Sequence, residues 1–304
     1  MRLLFIFVDG IGLGTQQVGN PFVFTDTPGI SSLLDGQHLT ENAKNHKGSK
    51  ATLLGLDATL NVPGFPQSAT GQASIFTGSN AAAYLGRHLR GFPNSALRGL
   101  ISRKSMFKQL REKGFRVAFA NAYRPSFFDL LRCDLPGNRF SCSTLTAYYG
   151  GLPFLGLDDL KAGNALYMDI TNDTLQRMGF DVPLIAPEKG AERLIEISRN
   201  FDFCLFEYFL SDLAGHLAEQ SESGRVISIL DSFIGSLAEQ IDPQEEMILV
   251  SSDHGNLEDL SSRRHTINEV PALLIGDLQK RRQIDDQLKT LTDLLPAINT
   301  VLEL

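Results

Sequence analysis

The stretch Ser251-Ser252-Asp253-His254-Gly255-Asn256 sets a carboxylate beside an imidazole. That is one oxygen and one nitrogen donor, the mixed pair that Zn²⁺ or Mn²⁺ accepts. Gly255 lets the backbone turn away without crowding an ion. Alone, the tripeptide is equally compatible with an ordinary turn at a strand end. A second pair, Asp212 and His216, is spaced four residues apart. On one helical turn both side chains share a face and reach a common ion, whereas a lone His216 reads as a capping or surface histidine. A third stretch, Pro66-Gln67-Ser68-Ala69-Thr70-Gly71-Gln72, surrounds hydroxyls with small residues before an apolar run ending at Thr77-Gly78. A strand-to-helix turn there presents a hydroxyl at a helix N-terminus, where free N–H groups and the dipole favour an anion. An N-cap serine or threonine has the same signature, and residue types alone leave Ser68 and Thr70 both open.

Two arginines and a histidine follow closely, in Leu85-Gly86-Arg87-His88-Leu89-Arg90. Arg87, His88 and Arg90 are candidate clamps for an anionic substrate, with a solvated basic loop as the plain alternative. Arg124 is a weaker candidate of the same kind.

Five apolar runs of strand length must position these groups: Leu3 to Val8, Phe115 to Ala120, Phe203 to Phe209, Met247 to Val250 and Ala272 to Ile275. They read as buried parallel strands. Helical patterns over Ser105 to Lys113, Lys189 to Ser198, Val226 to Ile241 and Asp286 to Leu304 alternate with several of them. The expected fold is α/β, a mostly parallel sheet with helices on both faces. Ligands of such sheets bind outside the carboxyl ends of the strands. Asp9 follows the first run directly, Asp212 follows the third and Asp253 the fourth. Residues 85–104 and 125–187 lack a clear period and read as loops and a small cap on a single domain spanning 1–304.

Composition narrows the class further. Apolar residues make up 42% and charged residues 21%, and the net charge is −7 from 28 basic and 35 acidic side chains. No basic footprint for nucleic acid is present. The apolar start is only six residues long and stops at Asp9, unlike a signal peptide, and no run approaches the ~20 residues of a membrane helix. A cytoplasmic protein with neither nucleic-acid nor membrane partners is expected. Cys133, Cys142 and Cys204 are odd in number and form no Cys-x-x-Cys pair, which argues against a disulfide framework.

In order and spacing these motifs resemble the alkaline phosphatase superfamily, in particular its cofactor-independent phosphoglycerate mutase and phosphopentomutase branch. The matching elements are Asp9 ending the first strand, the serine loop, Asp212 to His216, Asp253 to Gly255, and His265-Thr266-Ile267-Asn268-Glu269-Val270-Pro271. Relatives carry a Thr-Gly pair nine and ten residues after the nucleophile; here Thr77-Gly78 therefore implies Ser68. The resemblance also implies two divalent ions, Zn²⁺ or Mn²⁺, one held by Asp9, Ser68, Asp253 and His254 and the other by Asp212, His216 and His265. His38, His46 and His88 have no counterpart. Gly71 agrees with the mutases, but they carry histidine where this chain has Gln72, which bears on the transferred group or the leaving-group contact.

The implied activity is phosphoryl transfer on a small phosphorylated substrate. Hydrolysis through a phosphoserine is the leading expectation, because only 144 positions separate Ser68 from Asp212. Mutases of the branch carry a large lid there, to exclude water while the substrate reorients. Phosphomutase and phosphodiesterase activities are the alternatives, and a metal-binding protein without turnover is the non-enzymatic one. Retention of all seven ligand types argues against the last. A sulfatase would need Pro, Ser and Arg after the nucleophile, where Ser68 is followed by Ala69, Thr70, Gly71 and Gln72.

Overall fold

The computed structural model describes residues 1–132 and 139–303. Cys133 and Leu304 therefore lie outside the described residues, as does part of the 125–187 segment; Cys142 and Cys204 are buried free thiols. Seven strands form one sheet: β1 (Arg2–Val8), β2 (His46–Lys47), β3 (Ala51–Leu56), β4 (Val117–Phe119), β5 (Phe203–Tyr208), β6 (Glu246–Ser251) and β7 (Val270–Ile275). Their spatial order is β2-β3-β7-β6-β1-β5-β4.

β1 is an interior strand, paired in parallel with β5 on one side and β6 on the other. Its side chains alternate between two cores: Leu3, Phe5 and Phe7 belong to one, Leu4, Ile6 and Val8 to the other. The period of two explains why an uninterrupted apolar run is a strand buried on both faces. One face is covered by the helices Ser68–Thr77, Ser95–Lys104, Met106–Glu112, Cys142–Tyr149 and Leu294–Leu302. The other is covered by Pro28–Leu33, Pro187–Ser198 and Gln220–Gln240. The α/β architecture with helices on both faces is therefore present. Among the described residues no helix is long and apolar enough to cross a membrane.

Three features depart from the sequence reading. The run Ala272 to Ile275, expected to be parallel, belongs to β7, which pairs antiparallel with β6 and with β3. Residues 252–269 contain no helix, and a parallel return needs a crossover connection, so the chain comes back the opposite way. β2 and β3 extend this antiparallel edge. The β3 segment ATLLGL is broken at Gly55, where a Cβ would stand 2.6 Å from Glu269 Oε2, so glycine masks the strand pattern where the backbone packs tightly. The periodic stretch from Asp286 divides into two 3₁₀ turns and a helix starting at Leu294. The Asp293 carboxylate accepts from the Thr290 backbone N–H at 2.7 Å and so caps the second of these turns, Leu291–Asp293.

The segments 85–104 and 125–187 hold the Ser95–Lys104, Pro125–Arg132, Cys142–Tyr149, Leu157–Lys161 and Asp173–Arg177 helices. Several are short, and Cys142–Tyr149 mixes buried hydroxyls with apolar residues (CSTLTAYY), which hides its period.

Candidate active site

The parallel strands deliver Asp9 from β1 and Asp253 from β6 to one end of the sheet, and β5 leads at that end into the Leu210–Leu217 helix carrying Asp212 and His216. Because β7 runs the opposite way, His265, which precedes it, arrives at the same end. The side chains meet there. Asp212, His216 and His265 offer ligand atoms that all lie within 4.8 Å of one another, and so do Asp9, Asp212 and His254. Asp212 thus takes part in both groups. Asp253 completes the cluster, with Oδ2 3.6 Å from His254 Nε2.

The three imidazoles are oriented alike. Nδ1 of His265 lies 2.9 Å from the Pro66 carbonyl oxygen, that of His216 3.0 Å from Arg263 O, and that of His254 3.4 Å from Gly255 O. A proton on each Nδ1 leaves Nε2 as the lone-pair donor facing the cluster, the arrangement that backbone carbonyls impose on metal-binding histidines. The rings of His254 and His265 stack at 3.7 Å between centroids.

Ser68 is the first residue of its helix. Gln67 is the N-cap, in extended conformation and with no side-chain capping bond, so first-turn N–H groups are left for an anion. Its Oγ lies 3.1 Å from His254 Nε2. Thr70, the other hydroxyl left open by residue type, is fully buried; it donates to Gln67 O and accepts from Leu89 N. The geometry therefore sets Ser68, not Thr70, against the cluster.

Close backbone approach makes this possible. A Cβ on Gly71 would stand 2.6 Å from the Asp253 carbonyl oxygen, so glycine lets the Ser68 helix dock on the β6 loop. Gly71→Ala is expected to destabilise the fold by about 1–3 kcal/mol by overpacking, and to cut activity with it. Urea unfolding checks this; if alanine instead stabilises through its better helix propensity, the docking argument fails.

Glu258, absent from the sequence reading, ties the loops together. Its buried carboxylate accepts from the N–H groups of Gly12 and Asn256, each at 2.8 Å, from Asn268 Nδ2 at 3.0 Å and from the Thr266 hydroxyl. Thr266 and Asn268 of the late motif thus act through Glu258. Asn256 Nδ2 in turn donates to Asp212 Oδ1 at 2.7 Å. The only sequence signal for Glu258 was its place four residues after His254.

A cavity of about 420 Å³ opens beside Ser68, lined by Gln67, Arg90, Asp212, His216, His265 and two further cations, Arg263 and Arg264. Of the candidate clamps, Arg90 lines this cavity beside Ser68. The other substrate candidates stand elsewhere: Arg87 is exposed and outside this cavity, and His88 Nε2 bonds the Val62 carbonyl. Buried Gln72 donates to Asp9 Oδ2 at 3.3 Å, behind the cluster. Arg124 lines a separate cavity. Arg263 was missed because it belongs to a polar turn, Ser261-Ser262-Arg263-Arg264, that reads as solvated surface.

The electrostatics fit divalent ions. Burial, then the neighbouring Asp9, pushes the Asp253 carboxyl well above the carboxylate range and raises Asp212 too. For His254, burial is outweighed by Asp253 and Asp9, which raise the imidazolium to about 10. Burial and then His254 lower His265 to about 4. Asp9 Oδ1 and Asp253 Oδ2 are buried without a hydrogen-bond partner. Three crowded carboxylates, two of them with an orphaned oxygen, facing three Nε2 atoms, form a donor set that a small dication satisfies.

Comparison with known proteins gives the same direction. The model of the Metalloenzyme superfamily matches residues 1–303. Among curated proteins, the 2,3-bisphosphoglycerate-independent phosphoglycerate mutase of Desulforudis audaxviator is 29% identical over 126 residues, 36% of this chain and 25% of that protein. The enzyme of the same description from Antithamnion sp. is 27% identical over 110 residues, 34% of this chain and 22% of that protein. The matched segments thus span about a quarter of the length of these relatives. Among solved structures, the PH0037 protein from Pyrococcus horikoshii superposes with a TM-score of 0.58 at 14% identity, covering 99% of this chain and 96% of that one. Alkaline phosphatase from the Antarctic bacterium TAB5 gives 0.53 at 13% identity, covering 99% and 98%. These two likenesses show the fold.

Proposed function

Because the chain belongs to the Metalloenzyme superfamily, we propose that it is a metal-dependent phosphoric ester hydrolase in which Ser68 is the nucleophile and carries the phosphoryl group as phosphoserine. The observation that carries this reading is the position of Ser68 Oγ, 3.1 Å from His254 Nε2, at an uncapped helix start facing three carboxylates and three imidazoles. Asp9, Ser68, Asp253 and His254 would hold one ion and Asp212, His216 and His265 another, Zn²⁺ and Mn²⁺ both suiting the donors. When bound, two such ions supply Lewis-acid stabilisation of phosphoryl oxygens and a lower pKa for a coordinated hydroxyl.

The chain's own residues supply the rest. The first-turn N–H groups of the Ser68 helix and the guanidinium groups of Arg90, Arg263 and Arg264 face a phosphoryl group's negative charge in the 420 Å³ cavity. The His254 contact holds the Ser68 hydroxyl beside Asp9, whose Oδ1 is 3.3 Å from the same Nε2. Water reaches the site from the side of His216, whose side chain is 44% exposed. That openness favours hydrolysis over transfer back to the substrate, which must exclude water.

The test is turnover of p-nitrophenyl phosphate and its bis-ester by protein loaded with Zn²⁺ or Mn²⁺. Release of p-nitrophenol with inorganic phosphate is expected from the monoester. No turnover of either compound with either metal sinks the reading. A second reading, intramolecular phosphoryl transfer, draws on the mutase names of the curated relatives. ³¹P NMR separates the two, since a mutase yields an isomeric ester and no free phosphate.

A further inference from the structure

A second cavity, of about 340 Å³, adjoins the Ser68 site. The turn that lines the first cavity with Arg90 and Gly91 lines this one with Phe92. The helix Cys142–Tyr149, which starts at its wall, packs on the nucleophile helix through Cys142 Sγ, 3.3 Å from Ala69 O. The cavity is therefore placed to receive whatever is attached to a phosphoryl group at Ser68.

Its walls are aromatic, and its polar groups are mostly satisfied. Thr144 Oγ1 shares hydrogen bonds with Tyr123 OH and Ser141 Oγ, and the Asn121 side chain is fixed on both backbone groups of Glu207. Besides the more exposed Arg124, Ser126 and Arg139, two nearly buried polar groups of its wall can take a further partner. Glu207, 7% exposed, accepts from Ser143 Oγ with Oε2, while its Oε1 has no hydrogen-bond partner among the described residues. Tyr167, 5% exposed, likewise has a hydroxyl without one. Phe92, Tyr167 and Phe209 make no ring–ring contact among the described residues. Neither Glu207 Oε1 nor the Tyr167 hydroxyl is fully enclosed, so each faces the open space of the cavity, where a ligand can replace water.

We propose that this cavity is the leaving-group subsite, and that it takes a planar heteroaromatic group bearing an edge N–H or O–H donor for Glu207 Oε1. A polyol would leave hydroxyls against the rings of Phe92, Tyr123, Phe127, Phe140, Tyr167 and Phe209, whereas a flat ring covers these walls and needs few partners beyond Glu207, Tyr167 and the more exposed Arg124 and Arg139. The volume, at the low end for small-ligand pockets, suits one ring system. Burial raises the Glu207 carboxyl to about 7, only partly offset by the Ser143 hydrogen bond.

The proposal rests on phosphoryl transfer at Ser68, and its test separates the two. With metal-loaded protein, kcat/KM is compared for the 5′-monophosphates of adenosine, guanosine, cytidine and uridine and for glycerol 3-phosphate. At least one nucleotide is expected to exceed glycerol 3-phosphate by about tenfold, the equivalent of one hydrogen bond with ring burial. Glu207→Gln, which keeps an acceptor for Ser143 and presents an amide N–H₂ to the ligand, and Tyr167→Phe are expected to shrink that ratio, mainly through KM. Equal or better use of glycerol 3-phosphate, or a ratio unchanged in both variants, overturns the subsite. If no ester is turned over, the hydrolase reading falls and calorimetry of the four free nucleosides decides the subsite. Binding weakened in Glu207→Gln upholds it, and no binding to the wild type overturns it.

Discussion

Ser68→Ala is expected to lower kcat/KM for a phosphate monoester by about 10⁴-fold or more, the scale seen when a covalent nucleophile is removed while binding groups remain. The other hydroxyl of the loop cannot step in: Thr70 is buried and bonded to Gln67 O and Leu89 N. The variant loses one contact to His254 and no packing, so its unfolding midpoint should stay near that of the wild type. Acid quench of the wild type during turnover, followed by peptide mass spectrometry, should find phosphate on the peptide containing Ser68, and none in the variant. Activity within about tenfold of the wild type would remove Ser68 from the chemistry.

Asp212→Asn carries the second large effect, because Asp212 alone belongs to both ligand groups. Asparagine keeps the shape, loses the charge and sets an amide against Asn256 Nδ2, which now donates to Asp212 Oδ1 at 2.7 Å. Loss of the one carboxylate proposed to hold an ion with His216 and His265, which also stands within reach of Asp9 and His254, should lower metal content and cost about 10³-fold in activity, equivalent to several kcal/mol of lost charge stabilisation. Elemental analysis after dialysis against limiting Zn²⁺ or Mn²⁺ provides a readout independent of turnover. Wild-type metal content in the variant would show that Asp212 is not a ligand. The apo-protein has a complementary signature: removing one of three crowded carboxylates should bring the raised Asp253 carboxyl down.

Much of this molecule is legible locally. A run such as Leu3 to Val8 is apolar at every position because both faces of β1 are covered, and that requirement is written in consecutive residues. The placing of Asp9 and Asp253 follows from it, since both come directly after strands that run the same way. His265 was reached by resemblance, through a motif that precedes a strand; geometry alone would have sent it to the wrong end of an all-parallel sheet. The direction of β7 depends on the absence of a crossover helix in residues 252–269, which residue periodicity there does not reveal.

The amino-acid sequence by itself determined the apolar strands and their helical covers, the donor types at the strand ends and, through family register, the choice of Ser68. Those properties reside in neighbouring residues or fixed spacings. Tertiary structure alone decided that Asp212 stands in both clusters of candidate ligands, that Gln72 bonds Asp9 while Arg263 and Arg264 line the cavity, and that Glu258 and Glu207 are buried carboxyls with different partners. The physical reason is that a side chain's solvation and partners are set by chain segments remote in sequence: Glu258 is held by Gly12, 246 positions away, and Glu207 accepts from Ser143, 64 positions away.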